Sequence, residues 1–347
     1  APTGGTITTS GDYRIHTFTS SGSFVVADNT LLRNIEYLVI AGGGGAGYHT
    51  ANGYYYDSVG GGGAGGYRCS VPGETSGGGV PADPAIPFLT SGTYECHVGA
   101  GGATANASAV GGQAGGHSVF GGNQLETVAL YGSGSHHAYY YGTPDRSQNP
   151  IQSSTGSLPI MAHGGGGSVS VCWNPPSPQR GGNGGSGGGS GSSSNAATTF
   201  GYNLTRQGFV SGTVDNVQAG SAGGGAGGAG ANINSSNVGT TNNYNGGVGL
   251  TSSITGSAVG RGGGGAAGGS ASSGHSQTGG TGTSGGGNGG NYQSSSYGKN
   301  GNDGDANTGG GGGGSGASGG ASAYGSGAGG SGVIILRYKL NEVDNFL

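Results

Sequence analysis

Residues 309–338 read GGGGGGSGASGGASAYGSGAGGSGVIILRY, and the passage from a nearly side-chain-free run into the apolar strand at 333–338 decides the fold. The reverse passage occurs at residues 35–47, IEYLVIAGGGGAG, where a similar strand enters glycine. If these two strands share a sheet, the chain between them is a single insertion whose ends meet at that sheet. The unbroken apolar runs Leu38-Val39-Ile40 and Val333-Ile334-Ile335-Leu336 predict central strands covered on both faces. One cover would be a β-sandwich core and the other the glycine-rich insertion.

Glycine accounts for 94 of 347 residues, with 7% charged and 31% hydrophobic residues, a balance usually met in low-complexity chains. Ordering each backbone unit costs roughly 1–2 kcal/mol, and glycine has no side chain to bury in return. Lateral backbone hydrogen bonding must supply the return. The residues that interrupt the glycine runs recur three apart: Ala226 and Ala229, Asn183 and Ser186, Asn288 and Asn291, Ser315, Ser318 and Ala321, Ala328 and Ser331. That period fits an extended left-handed helix of the polyproline-II type and neither an α-helix nor a strand. Such a helix has no internal hydrogen bonds, so a bundle of laterally bonded polyglycine-II-type helices is expected. Collagen is excluded, because no G-X-Y phase is sustained and the prolines sit in irregular stretches.

Strand-like segments of period two are predicted at 13–19, 23–26, 35–41, 66–71, 92–98 and, more briefly, 117–120 and 126–131. Segments 13–19 and 23–26, joined by the turn at 20–22, predict a hairpin. No segment carries a helical period. The expected fold class is therefore all-β with no α-helix: a sandwich base over 1–131 with the first glycine-rich loops, a glycine bundle with surface loops over 132–331, and a closing strand and tail over 332–347. The tail KLNEVDNFL departs in composition and is expected to pack on a neighbouring subunit.

A net charge of −4 gives no basic footprint for nucleic acid or anionic membrane, and no apolar run reaches the roughly 20 residues of a membrane helix. The opening APTGG has neither an initiator Met nor a signal-type apolar core and reads as a processed product.

Taken in order, GGTITTSGDYRIHTFTSSGSF, EYLVIAGGGGAG, GGGGAGGYR, TYECHVGAGG, GGVGLTSSITGSAVGRGGGG and GSGVIILRY resemble the glycine-rich tail-fibre or adhesin proteins of tailed bacteriophages, over residues 1 to about 338. The resemblance implies a base of jelly-roll type bearing a polyglycine bundle, no enzymatic activity, and a role in a virion appendage or in host recognition. It also implies an extracellular or virion location and a host-surface glycan or protein as partner. The glycine-rich domain of some animal receptor tyrosine kinases is similar in architecture. A self-assembling subunit of an extracellular fibre is the alternative; a homo-oligomer is expected, a helical repeat favouring the fibre and a discrete trimer or monomer the adhesin.

The chain departs from that pattern where bulky aromatics interrupt small-residue sequence. Tyr54, Tyr55, Tyr56 and Asp57, then His136, His137, Tyr139, Tyr140 and Tyr141, and Trp173, are candidates for receptor binding or for intersubunit contact. Rigid rings with a polar tip suit sugar stacking and protein contact alike. Cys69 and Cys96 lie in two strands that would pair, each two residues after a tyrosine, so a cross-strand disulfide stands beside two buried thiols as readings, with Cys172 left over.

No CxxC or HxxxH spacing announces zinc, and no metal or other cofactor is expected. Residues 300–307, NGNDGDAN, collect oxygen ligands in a calcium-like run but lack the bidentate Glu of an EF-hand, and the same residues are ordinary turn chemistry. Residues 314–319 satisfy G-x-G-x-x-G by chance without the strand and helix that would give it meaning, and the only lysines, Lys299 and Lys339, complete no phosphate loop. The sequons at Asn106, Asn203 and Asn234 match chance expectation for this composition. No nucleophile, base and acid combine into a catalytic set.

Overall fold

The structure, a computed structural model, describes residues 1–48, 58–105, 111–121, 158–169, 180–191, 200–215, 219–234, 244–270, 278–294, 297–317 and 324–345. Among these residues there is no α-helix; the chain is all-β.

Its strands, in chain order, are β1 (Thr6–Ser10), β2 (Tyr13–Phe18), β3 (Gly22–Val26), β4 (Thr30–Ile40), β5 (Tyr67–Cys69), β6 (Thr75–Ser76), β7 (Val80–Pro81), β8 (Ile86–Leu89), β9 (Gly92–His97), β10 (Ser118–Phe120) and β11 (Ile160–Ala162). There follow β12 (Val214–Asp215), β13 (Ile233–Asn234), β14 (Leu250–Ser252), β15 (Val259–Arg261), β16 (Tyr292–Ser294), β17 (Tyr297–Gly298), β18 (Val333–Lys339) and β19 (Val343–Asn345). One sheet runs β1-β2-β18-β4-β19, with β5 and β8 also on β4; a second runs β11-β10-β9-β3. The strands at the two ends of the insertion do meet: β18 pairs antiparallel with β4, Val333 opposite Ile40 and Arg337 opposite Glu36.

The unbroken apolar runs have the expected cause, because alternate side chains enter different cores. Tyr37, Val39, Ile334 and Leu336 pack with Phe24, Val26, Phe120 and Ile160 of the second sheet, which makes the sandwich interior. Leu38, Ile40, Val333 and Ile335 face the other way, against Tyr67, Ile254 and Ala226. Ala226 belongs to a glycine segment, so the second cover is the insertion itself.

Beyond the sheets, the glycine-rich segments are extended yet are neither strand nor helix. Their amides rotate through neighbours with a period of three. Along 61–66, Gly61 and Ala64 donate to the carbonyls of Ser221 and Gly224, Gly62 and Gly65 to Gly312 and Gly309, and Gly63 and Gly66 to Gly166 and His163. The first neighbour is parallel and the other two are antiparallel. Segment 263–268 behaves alike, reaching Ser284 and Gly287, then Gly247 and Tyr244, then Gly62 and Val59. A Cβ on Gly62 would lie deep inside the van der Waals radius of the Gly44 carbonyl oxygen, and one on Gly44 inside that of Gly166. Only glycine permits backbones this close, with Cα–H groups against carbonyls.

Three expectations need correction. β2 and β3 form no hairpin: β2 pairs with β1 and β3 with β9. Residues 19–21 therefore cross between sheets, because Phe18 and Phe24 both point into the sandwich core. The tail folds back on its own chain, β19 pairing with Thr30–Leu32 of β4, held by Arg33 Nε on Asp344 at 2.9 Å and Asn34 on Glu342. Finally, β11 lies within the stretch assigned to the bundle but pairs with β10 and fills the sandwich with Ile160. The predicted strand at 126–131 lies outside the described residues.

Candidate functional site

Strands of both sheets run on directly into glycine segments. β4, β9 and β11 lead outward into 41–48, 98–105 and 163–169, while 58–66, 111–117 and 324–332 lead back into β5, β10 and β18. Lateral bonds join them into one block: Gly42 donates to Gly116, Gly43 to Gly330, Gly44 to Gly63, and Gly102 back to Gly43. The segments between 180 and 317 extend this block sideways, with their turns at 204–207, 226–228, 283–285 and 305–308 on the sandwich side.

At the opposite end a distal face is knitted from residues that flank the connecting stretches. Ser168 Oγ donates to the Gly60 carbonyl and accepts the Gly47 amide, both at under 3 Å. The Val59 amide reaches Ser315, Gly268 reaches Val59, Ala317 reaches Gly269, and Gly220 reaches Ser58 Oγ. Described residues beside 49–57, 106–110, 170–179, 271–277 and 318–323 take part in this face, with Ala105 donating to Ala46 and Gly111 bridged to Val169. Tyr54, Tyr55, Tyr56, Asp57 and Trp173 lie outside the described residues, within two of those stretches. His136, His137, Tyr139, Tyr140 and Tyr141 also lie outside them, but their stretch is bracketed by Gly121 and Leu158, which pack on each other in the sandwich. The fold thus separates the anchor points of the two aromatic clusters.

Polar side chains at the edges replace missing carbonyls. Asn288 and Asn291 Oδ1 accept the amides of Gly282 and Gly279; Asn300 and Asp303 accept those of Gly325 and Ala328; Asn245 accepts Thr281 and Asn183 accepts Tyr202, all at 2.7–3.0 Å. The calcium-like run at 300–307 is spent in this way: its oxygens serve the neighbouring segment 325–331, and Asn307 meets Ser331. Among the described residues no three His, Cys, Asp or Glu side chains converge as metal ligands.

The bundle is bolted to the sandwich by buried charge that sequence reasoning missed. Asp83, almost fully buried, accepts Arg68 Nε at 2.6 Å and Arg206 from the 204–207 turn at 3.2 Å. Glu36 and Arg337 pair across β4 and β18 at 2.5 Å, and Arg337 also reaches the Ser253 carbonyl and lies over the Tyr13 ring. Desolvation dominates the other titrating groups. His117 and His163 meet edge to face at 5.1 Å, and burial lowers both imidazoles, His163 to about 4.

The pairing of Cys69 with Cys96 is not made. Their strands sit in different sheets, and both thiols are free, buried and pushed up to about 12 by desolvation, so neither is a thiolate at neutral pH.

No helix among the described residues is long and apolar enough to cross a membrane. No curated protein sequence matches the chain. A family model described as a glycine-rich domain matches residues 19–339, from the end of β2 to the end of β18, and the chain belongs to that family.

Proposed function

We propose that this chain is a non-enzymatic appendage protein of the tail-fibre or adhesin type from a tailed bacteriophage, extracellular or virion-borne, whose glycine-rich half is a polyglycine-II-type lattice displaying recognition loops to a host surface. The threefold rotation of hydrogen-bond partners supports the lattice, and the ordered series of six motifs quoted above supports the phage setting. The observation that carries the functional reading is the distal face. Connections of variable length leave from a platform whose backbone is bonded laterally to its neighbours. A rigid platform fixes the ends of whatever it carries, which lowers the ordering cost of binding. Tyrosine and tryptophan, rigid rings with a polar tip, suit a glycan or a protein ligand.

We infer different tasks for the two aromatic clusters from where their stretches are anchored. Tyr54, Tyr55, Tyr56 and Trp173 belong to stretches of the distal face and would contact the receptor. His136, His137 and Tyr139–Tyr141 belong to a stretch rooted in the sandwich and would contact other appendage subunits. A cell-binding assay and a glycan array run on two variants test this. Replacing Tyr54–Tyr56 by serine is expected to abolish attachment with the melting temperature unchanged, whereas replacing Tyr139–Tyr141 is expected to leave attachment intact. Unaltered attachment by the first variant would remove the distal face from the reading.

A further inference from the structure

An outermost strand presents a row of unpaired amides and carbonyls to any passing strand, and proteins guard such rows with proline, charge, bulges or covering groups. Here most are guarded. β8 contains Pro87; the Met161 carbonyl of β11 accepts Arg68 Nη1; the free side of β3 is met by Thr3, which exchanges both backbone bonds with Val25. β5 is met by Gln207 and Ser76, and β19 is short and carries Asp344.

β1 is the exception among the edge strands of the two larger sheets. Its five residues, Thr-Ile-Thr-Thr-Ser, pair with β2 in continuous register without a bulge, lie at the end of the seven-stranded sheet, and include no charge and no proline. Ile7 is 43% exposed, a β-branched apolar side chain on an open edge. Gly256 of the β14–β15 hairpin sits against the Ser10 side chain, on one face of the strand, and among the described residues nothing pairs with its outer edge.

We propose that β1 is the contact by which two copies of this chain associate, antiparallel and edge to edge about a twofold axis, so that their seven-stranded sheets become continuous. The strand is complementary to itself. With Thr8 opposite Thr8, Ile7 faces Thr9 and Thr6 faces Ser10, giving β-branched and hydroxyl pairs of the kind that favour cross-strand pairing. No like charges are brought together, which is the commonest obstacle to self-pairing of an edge. The contact is isologous and therefore closes at two copies. It lies in the sandwich, away from the distal face, so it stands or falls independently of host recognition and would leave both distal faces free to bind together.

The test is the mass of the full-length chain in solution, by sedimentation at concentrations up to roughly 100 μM, where even a weak contact is populated. The wild type is expected to reach twice the chain mass. Thr8→Lys, which sets two ammonium groups opposite each other, is expected to weaken association by at least about tenfold without changing the melting temperature. In a Cys172→Ser background, Thr8→Cys is expected to oxidise to a covalent dimer, and Ser257→Cys, exposed on the hairpin, is not. A wild type that stays monomeric throughout, or a dimer that survives Thr8→Lys, would overturn the proposal.

Discussion

At the scale of the residue, glycine serves this protein by its lack of a Cβ rather than by its conformational freedom. Gly62 shows the consequence, since any side chain there would collide with a neighbouring carbonyl that cannot move without disturbing its own bonds. Gly62→Ala is expected to cost about 3 kcal/mol or more, the penalty of overpacking a rigid interior. Gly325→Ala, whose Cβ would find its nearest atom 3.8 Å away on Asn300, is expected to stay within about 0.5 kcal/mol. Thermal denaturation of the two variants separates these outcomes. A second residue-scale expectation concerns acid. His163 titrates near its ordinary 6.5 when unfolded but at about 4 when folded, because burial beside His117 and Arg68 opposes its charge. Between those values the unfolded chain binds the extra proton, so stability is complete above 6.5 and falls as pH drops toward 4, by up to about 3 kcal/mol. Melting temperatures measured from pH 7.5 to 4.5 should fall, and His163→Gln should flatten the profile. The spacing of Ala, Ser and Asn was legible in the chain, but the task of Asn as a substitute carbonyl was not. Nothing local distinguishes Asn288, which accepts an amide from six residues upstream, from an Asn in a turn.

Among the elements, the strands that were legible are those whose side chains alternate between two fates. β4 and β18 announced themselves by unbroken apolar runs, and the two cores on either side of them explain why. The hairpin of β2 and β3 was misread because a short turn between alternating segments says nothing about which sheet each joins; Phe18 and Phe24 settle that by meeting in the sandwich interior. β11 escaped detection, because Ile160-Met161-Ala162 has no alternating polar residues to show a period of two, whereas the equally short β5 and β10 lie in longer predicted segments. Electrostatic links between elements were equally hidden, since Asp83 and Arg206 are distant in sequence. They differ sharply in weight. Asp83→Ala leaves Arg68 buried without its partner and is expected to cost about 3–5 kcal/mol. Asp344→Ala breaks a pair that is about half exposed and should cost less than about 1 kcal/mol. Urea midpoints of the two variants check the contrast.

For the molecule as a whole, sandwich and bundle have no seam at which to part. Six strands continue into glycine segments, Ala226 and Ile254 share a core with the sheet, and Asp83 spans the junction. A single calorimetric transition is expected, with calorimetric and van't Hoff enthalpies in agreement; two resolved transitions would show that the halves are independent domains. The amino-acid sequence by itself determined the all-β class and the period of three along glycine, because each depends on local spacing and on which residues lack side chains. Only the tertiary structure decided which segment neighbours which, that residues 36–40 pair with 333–337, that the tail returns to β4, and that Cys69 and Cys96 lie apart. Backbone amides and carbonyls are the same at every residue, so a lattice held by them leaves almost no record of its partners in the side chains.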